Sequence, residues 1–208
     1  MMNETLTMKE RMLLGLPYKA NDEHLTREYI QCAKRLKSYN NLGSWQKKEL
    51  ATALQDILGA IGSNGTINPP FHCDYGGNIT IGENFFANYG LTILDVAPVK
   101  IGHHVMMGPH VGLYTAGHPM HPDPRNAGHE WGLPIVIGDN VWIGGHVVVN
   151  PGISIGSNTV VGAGSVVTKN MPEWVFCAGN PCRVIREIME DDLKYYRKNL
   201  EWPTDFID

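Results

Sequence analysis

The sequence predicts a mainly β protein, a parallel β-helix of hexapeptide repeats with a small N-terminal helical segment and a C-terminal helix. Two observations carry this. Ile137, Ile143, Val149, Ile155, Val161 and Val167 sit six residues apart without a break, and glycine follows four of them, at 138, 144, 156 and 162. A period of six fits neither an amphipathic helix nor a simple alternating strand. It fits short strands joined by tight turns, stacked so that the aliphatic side chains form internal columns, three hexads making one coil of 18 residues. The second observation is a change of texture: residues 3–60 have few glycines and carry Lys, Glu, Leu and Ala in helical spacing.

In chain order, the helical segment breaks near Gly15-Leu16-Pro17 and near Asn40-Asn41-Leu42-Gly43. Asp22 suits the N-cap of a second helix carrying Leu25, Tyr29, Cys32, Leu36 and Tyr39, and Ser44 that of a third carrying Leu50, Ala53, Leu54, Ile57 and Leu58. Residues 1–60 are thus expected to cap the open first coil, whose unpaired strand edges otherwise invite association. The β-helix then occupies 61–187. Its register appears at Ile81, Ala87 and Ile93, slips by two residues, and resumes at Ile101, Met107 and Leu113, so that twelve hexads make four coils, with Ile67 to Cys73 beginning another. Leu113 and Ile137 are 24 residues apart, still a multiple of six, yet 114–134 contains no aliphatic column. It reads as an extended loop that leaves the coils and returns, and long loops of this kind are often functional. Ile188 to Leu200 reads as a helix flanking the last coil, within a terminal segment 188–208.

Composition narrows the function. A chain of 208 residues, 43% hydrophobic, suits one domain with a small appendage. A net charge of -4 supplies no polybasic field for nucleic acid or an anionic membrane. No run approaches 18 consecutive apolar residues and the N-terminus lacks the apolar core of a secretion signal, so a cytoplasmic location is expected. Cys32, Cys73, Cys177 and Cys182 are scattered, which favours reduced, buried thiols over a disulfide or a zinc site.

The chemistry concentrates in the loop and near the end of the coils. His118 lies between Gly117 and Pro119, and an imidazole with an ordinary pKa near ~6.5 is a competent general base for a hydroxyl attacking an electrophile. Glu130 shares that loop and is a candidate to orient His118 through its other ring nitrogen. Thr168-Lys169, Arg183 and Arg186 place cations after the last regular hexads, where they suit the phosphates of a ligand running along the coils. The plainer reading of the arginines is a solvated basic turn paired with Glu187 or Glu190. His103, His104, His110, His121, His129 and His146 raise a zinc alternative, which needs three converging imidazoles; His104 and His110 lie in different hexads and should face different sides.

These features together resemble the maltose/galactoside O-acetyltransferase family. The resemblance rests on the hexads, on Thr115-Ala116-Gly117-His118-Pro119, on the segment from Ile137 to Gly144 (IGDNVWIG), and on the tail from Ala178 to Ile188 (AGNPCRVIREI). Met12-Leu13-Leu14-Gly15, Tyr18, Asp22, Leu25 and Tyr39-Asn40 are similar to the helical segment of the maltose branch, so that the likeness spans roughly residues 8–188. It implies a left-handed β-helix, a homotrimer with active sites between subunits, and acetyl transfer from acetyl-CoA to a hydroxyl of a small sugar, with no metal required. On this resemblance His118 matches the catalytic histidine, Asn88 the acceptor-binding asparagine, and Asp74 a sugar contact, where a carboxylate can accept two hydroxyl hydrogen bonds. Trp142 matches an aromatic near the acceptor. Gly145, Ala163, Thr168, Lys169, Arg183 and Arg186 match the coenzyme A groove, Gly145 offering a backbone N–H to a developing oxyanion. Two acidic acceptor contacts of the galactoside branch fall on Ala20 and Val96, with Asp95 the nearest acid and so the candidate sugar contact. The alternatives are a zinc lyase of the γ-carbonic anhydrase type and a non-catalytic β-helix scaffold; an amino-group acceptor, as in related acetyltransferases, is a further variant.

Overall fold

The protein is described by a computed structural model over residues 6–204; the first residues of the expected cap, 1–5, and the last of the terminal segment, 205–208, lie outside the described residues. Three sheets form the walls of a triangular prism. The first face stacks Ala60–Ile61, Ile79–Ile81, Val99–Ile101, Ile135–Ile137 and Ser154–Ile155. The second stacks Thr66–Ile67, Phe86–Ala87, Met106–Met107, Trp142–Ile143, Val160–Val161 and Val175–Ala178, and is closed by the antiparallel strand Arg183–Glu187. The third stacks Phe71–Cys73, Leu91–Leu94, Gly112–Tyr114, Val148–Val149 and Val166–Val167. The helix is therefore longer than four coils. The extra strands at its ends use Phe71, Cys73, Val175 and Cys177 as buried column residues, which the strict aliphatic period does not reveal.

Stacking in register is what holds the prism together. Ile137 lies opposite Ile101 and Ile155, Ile143 opposite Met107 and Val161, and Leu113 opposite Ile93 and Val149, all of them buried. Each coil also donates its backbone N–H groups to the next, as in Gly102 to Ile137 and Gly138 to Ile155, both 2.9 Å. At the corner between the first and second faces, Asn64, Asn84, His104, Asn140 and Asn158 all adopt φ of 55–60°. Asparagine tolerates this region better than other residues with a Cβ. Its amides also form a ladder, with Asn64 Nδ2 donating to Asn84 Oδ1 (3.0 Å) and Asn140 Nδ2 to Asn158 Oδ1 (2.9 Å). Gly102 on the same corner is required for a different reason: a Cβ there would come within 2.7 Å of the Gly138 carbonyl of the next coil.

The N-terminal helices are α1 (Met8–Leu13), α2 (Glu23–Asn40) and α3 (Lys47–Ile57). Asp22 caps α2, its Oδ1 accepting N–H from His24 (3.0 Å) and Leu25 (3.2 Å). Ser44 does not cap α3. The chain makes a tight turn over 43–46, with Gln46 N–H donating to the Gly43 carbonyl (2.9 Å), so that the helix starts two residues later than Ser44 could serve. Cys32, Leu36 and Tyr39 of α2 join the same core as Ile67 and Phe71. The Tyr39 hydroxyl donates to the Ile67 carbonyl, and the Asn40 amide both donates to the Phe71 carbonyl (2.9 Å) and accepts its N–H (2.8 Å). Side chains of the cap thus satisfy backbone groups at the open end of the coils.

The C-terminal helix is the clear correction. After Arg183–Glu187 the chain forms only a 3₁₀ turn, Glu190–Lys194, then a small hairpin of Tyr195–Arg197 with Leu200–Glu201. Asp192 accepts two hydrogen bonds from Arg186, each 2.8 Å, and the Met189 N–H (2.9 Å), which fixes a compact turn where the helix was expected. A short helix without a packing partner is marginal in water, and Tyr195-Tyr196 favours extended backbone. No helix among the described residues is long and apolar enough to cross a membrane.

Because Ile93 is fully buried between Cys73 and Leu113, Ile93→Ala should lower unfolding free energy by about 2–5 kcal/mol. A denaturant titration checks this; a midpoint equal to wild type would show that the columns do not carry the stability.

Candidate active site

The long loop leaves at the corner between the third and first faces. It has secondary structure of its own: strands Ala116–Gly117 and His129–Gly132 enclose a short helix, α4 (Pro122–Asn126). His129–Gly132 is the middle strand of a three-stranded antiparallel sheet, with Ala116–Gly117 on one side and Tyr18–Lys19 on the other. Met12, Tyr18, Leu25 and Val96 form a small second core beside it. The N-terminal segment therefore grips the loop as well as capping the coils. Two-residue strands have no readable period, so sequence patterning could not announce this contact.

The register places Tyr18 opposite Glu130, and Tyr18 Oη donates to Glu130 Oε2 at 2.8 Å. Glu130 Oε1 in turn stands 4.0 Å from His118 Nδ1. That is ion-pair range, and longer than a hydrogen bond. Tyr18 is buried, and burial together with the neighbouring Glu130 carboxylate pushes its hydroxyl well above the usual phenol range, so it remains a donor. The result is a chain from a buried phenol through a carboxylate to an imidazole that is about half exposed. Tyr18 is the residue of this candidate site that the sequence reading did not assign to it.

His118 and Glu130 line a cleft of about 290 Å³ together with Asp74, Tyr75, Thr26 and Tyr29, while Ala20, Leu25, Leu94, Val96 and Ala116 supply apolar wall. None of the lining residues is Lys or Arg. Desolvation pushes the Asp74 carboxyl up to about 7, with the negative charges of Asp95 and Glu130 adding to it, so Asp74 changes protonation near neutrality. Asp95 itself is not a sugar contact. It is fully buried, because its Oδ1 accepts the backbone N–H of Asp74 and of Tyr75 (2.9 Å each) inside the corner.

The remaining candidates are distributed over the prism. Asn88, Gly145 and Ala163 lie at the other corner, between the second and third faces, and Asn88 Oδ1 accepts the Tyr89 N–H (2.9 Å) within its own turn. Trp142 is exposed at the start of its strand on the second face. Thr168 and Lys169 are exposed on the same corner as His118, two coils further on. Arg183 Nη1 donates to the Cys182 carbonyl (2.8 Å), whereas Arg186 is paired with Asp192, a partner different from the Glu187 or Glu190 side chains considered from sequence. His104 and His110 occupy different corners, as their spacing requires, and the His110 ring stacks on His146 at 5.0 Å. Among the described residues no group of three or more His, Cys, Asp or Glu side chains is placed to hold a metal ion.

Comparison with known proteins finds relatives that share the fold. Two family models match: bacterial transferase hexapeptide (six repeats) over residues 134–169, and the maltose acetyltransferase hexapeptide capping motif over residues 11–62. The galactoside O-acetyltransferase of Escherichia coli is 41% identical over 194 residues, covering 93% of this chain and 96% of the relative. The crystal structure of a maltose O-acetyltransferase from Clostridium difficile is similar with a TM-score of 0.87 at 48% identity, covering 89% of this chain and 99% of that one. A galactoside acetyltransferase solved in complex with coenzyme A is similar with a TM-score of 0.92 at 40% identity, covering 96% of this chain and all of that one (100%).

Asp74 makes stability depend on pH. Its folded pKa lies above its unfolded value near ~3.9, so the folded state binds more protons between the two and loses stability as pH rises through that window. Asp74→Asn should therefore be more stable than wild type at pH 8, by about 1–3 kcal/mol after allowing for the part-open cleft, with the gain vanishing near pH 4. Equal thermal unfolding of the two proteins at pH 8 would contradict this.

Proposed function

The chain belongs to the maltose and galactoside O-acetyltransferase family of hexapeptide-repeat enzymes, and on that footing we propose that it moves acetyl from acetyl-CoA to a hydroxyl of a small sugar with His118 as general base. The observation that carries this reading is the chain Tyr18, Glu130, His118 at the mouth of a cleft that also holds Asp74. With Nδ1 turned towards Glu130, the neutral imidazole leaves Nε2 free to accept a proton. The acceptor hydroxyl gives that proton to Nε2 as its oxygen bonds to the thioester carbonyl carbon. The carbon–sulfur bond then breaks, and the same proton passes to the departing thiolate, so that His118 ends as it began. Glu130 stabilises the imidazolium between these steps, and Tyr18 holds Glu130 in place. Asp74 accepts hydrogen bonds from acceptor hydroxyls.

The donor side is supported by chemistry of residue type. Lys169 and Arg183 are exposed cations suited to phosphate, Gly145 offers backbone N–H, and the small Ala163 leaves room beside it. Arg186 joins them only by exchanging Asp192 for a phosphate. His118, Glu130 and Asp74 stand on one corner of the prism and Asn88, Gly145 and Ala163 on another. A site that uses both sets is completed by a corner from a second copy, which supports a homotrimer with its sites between subunits. Four free, buried cysteines suit a reducing compartment such as the cytoplasm.

Release of coenzyme A thiol from acetyl-CoA, measured with maltose, glucose, galactosides and amino sugars as acceptors, tests the proposal. His118→Ala should cut acceptor-dependent release by about 10²–10⁴-fold while acetyl-CoA binding persists, and Glu130→Gln should cost less than His118→Ala. Full activity in His118→Ala would remove the base; unchanged activity in Glu130→Gln would remove its partner.

A further inference from the structure

Asp95 does more than fill a corner. It is 0% exposed, one coil on from Asp74, and it binds the turn that carries Asp74 at several points. Its Oδ1 accepts N–H from Asp74 and Tyr75 at 2.9 Å each, and its backbone carbonyl accepts Asn78 Nδ2 at 2.7 Å. Its other carboxyl oxygen, Oδ2, is buried without a hydrogen-bond partner among the described residues. An oxygen left in that state costs free energy, so a residue that only had to close the turn would be better placed without it. The cost falls at the corner next to the cleft, behind Asp74, which lines that cleft together with Glu130.

We propose that Asp95 is a positioning residue for the acceptor: by holding the backbone of Asp74 and Tyr75 it fixes where the Asp74 carboxyl stands in the cleft. This rests on the reading of Asp74 as an acceptor contact. The charge of Asp95 adds a second effect, which follows from the surroundings. Asp74 feels Asp95 and Glu130; Tyr18, Tyr75, Cys32 and Cys73 lie in the same field, Glu28 acts on Tyr75, and His118 lines the cleft. Among the cations, Arg35 acts on Cys32, and Lys9 pairs with Glu28. Removing the Asp95 charge therefore lets Asp74 ionise at lower pH.

Steady-state kinetics of acetyl transfer in wild type, Asp74→Asn, Asp95→Asn and Asp95→Ala, from about pH 5 to about pH 9, test this. Asp74→Asn should raise the acceptor KM and abolish the dependence of that KM on pH near neutrality. Asp95→Asn keeps an oxygen for the two N–H groups, so its acceptor KM at high pH should stay near wild type while the pH limb moves to lower values. Asp95→Ala frees the turn and should raise the acceptor KM about tenfold or more with the acetyl-CoA KM unchanged. The proposal fails if both Asp95 variants keep the wild-type acceptor KM and limb, or if they raise both KM values alike, as general damage would. Should Asp95→Ala not fold, the limb of Asp95→Asn decides. Wild-type acceptor kinetics in Asp74→Asn would instead remove Asp74 from the acceptor site and the proposal with it.

Discussion

Each coil of this protein satisfies its backbone through the next coil and buries the same kind of side chain at the same place in every turn. A one-residue slip would turn every buried side chain of a strand to the outside. The prism can therefore accept extra chain only at a corner, and only if the register is recovered on return. The loop between Leu113 and Ile137 obeys this: Leu113 still pairs with Val149, and Ile137 with Ile101, as if nothing intervened. Residues inside the columns are fully committed to packing. Chemistry has to be built where the columns are not.

That explains why His118, Glu130 and Asp74 gather at the corner between the third and first faces, and why the N-terminal segment is needed there. A loop of this length pays a large ordering entropy unless other elements hold it. The strand Tyr18–Lys19 supplies backbone pairing to His129–Gly132, and the Tyr18 hydroxyl binds the same glutamate that faces His118. A strand near one end of the chain thus holds the carboxylate that faces an imidazole about a hundred residues away in sequence. Fold stability and site geometry share these contacts: Met12, Tyr18, Leu25 and Val96 pack as one cluster, and Leu25 and Val96 also line the cleft.

The columns were readable because they repeat, and the loop that carries His118 was readable because the repetition stops there. What could not be read depends on single contacts between distant residues. Tyr18 and Glu130 are brought together by a strand pair too short to have a pattern. Asp95 looked like a substitute for a neighbouring acid at position 96, and only its burial shows that it points into the corner instead. The segment after Ile188 has helical spacing, yet spacing predicts a helix only where a surface exists to bury its apolar stripe. Here Arg186 and Asp192 close a turn first.

The electrostatics of the cleft tie these parts together. Its lining holds no Lys or Arg, and Glu130, Asp74 and, behind them, Asp95 give it a negative field. The same field opposes ionisation of Asp74, which is why its carboxyl is pushed to about 7. Ala20 and Val96 matter for this balance. They leave two positions on the cleft wall apolar where further carboxylates would have deepened the negative potential and kept Asp74 protonated to higher pH. With fewer acids the cleft retains one carboxyl that can ionise within the range in which an imidazole works as a base. The apolar wall and the buried acid behind Asp74 are then two parts of one arrangement, each limiting how much negative charge the cleft presents.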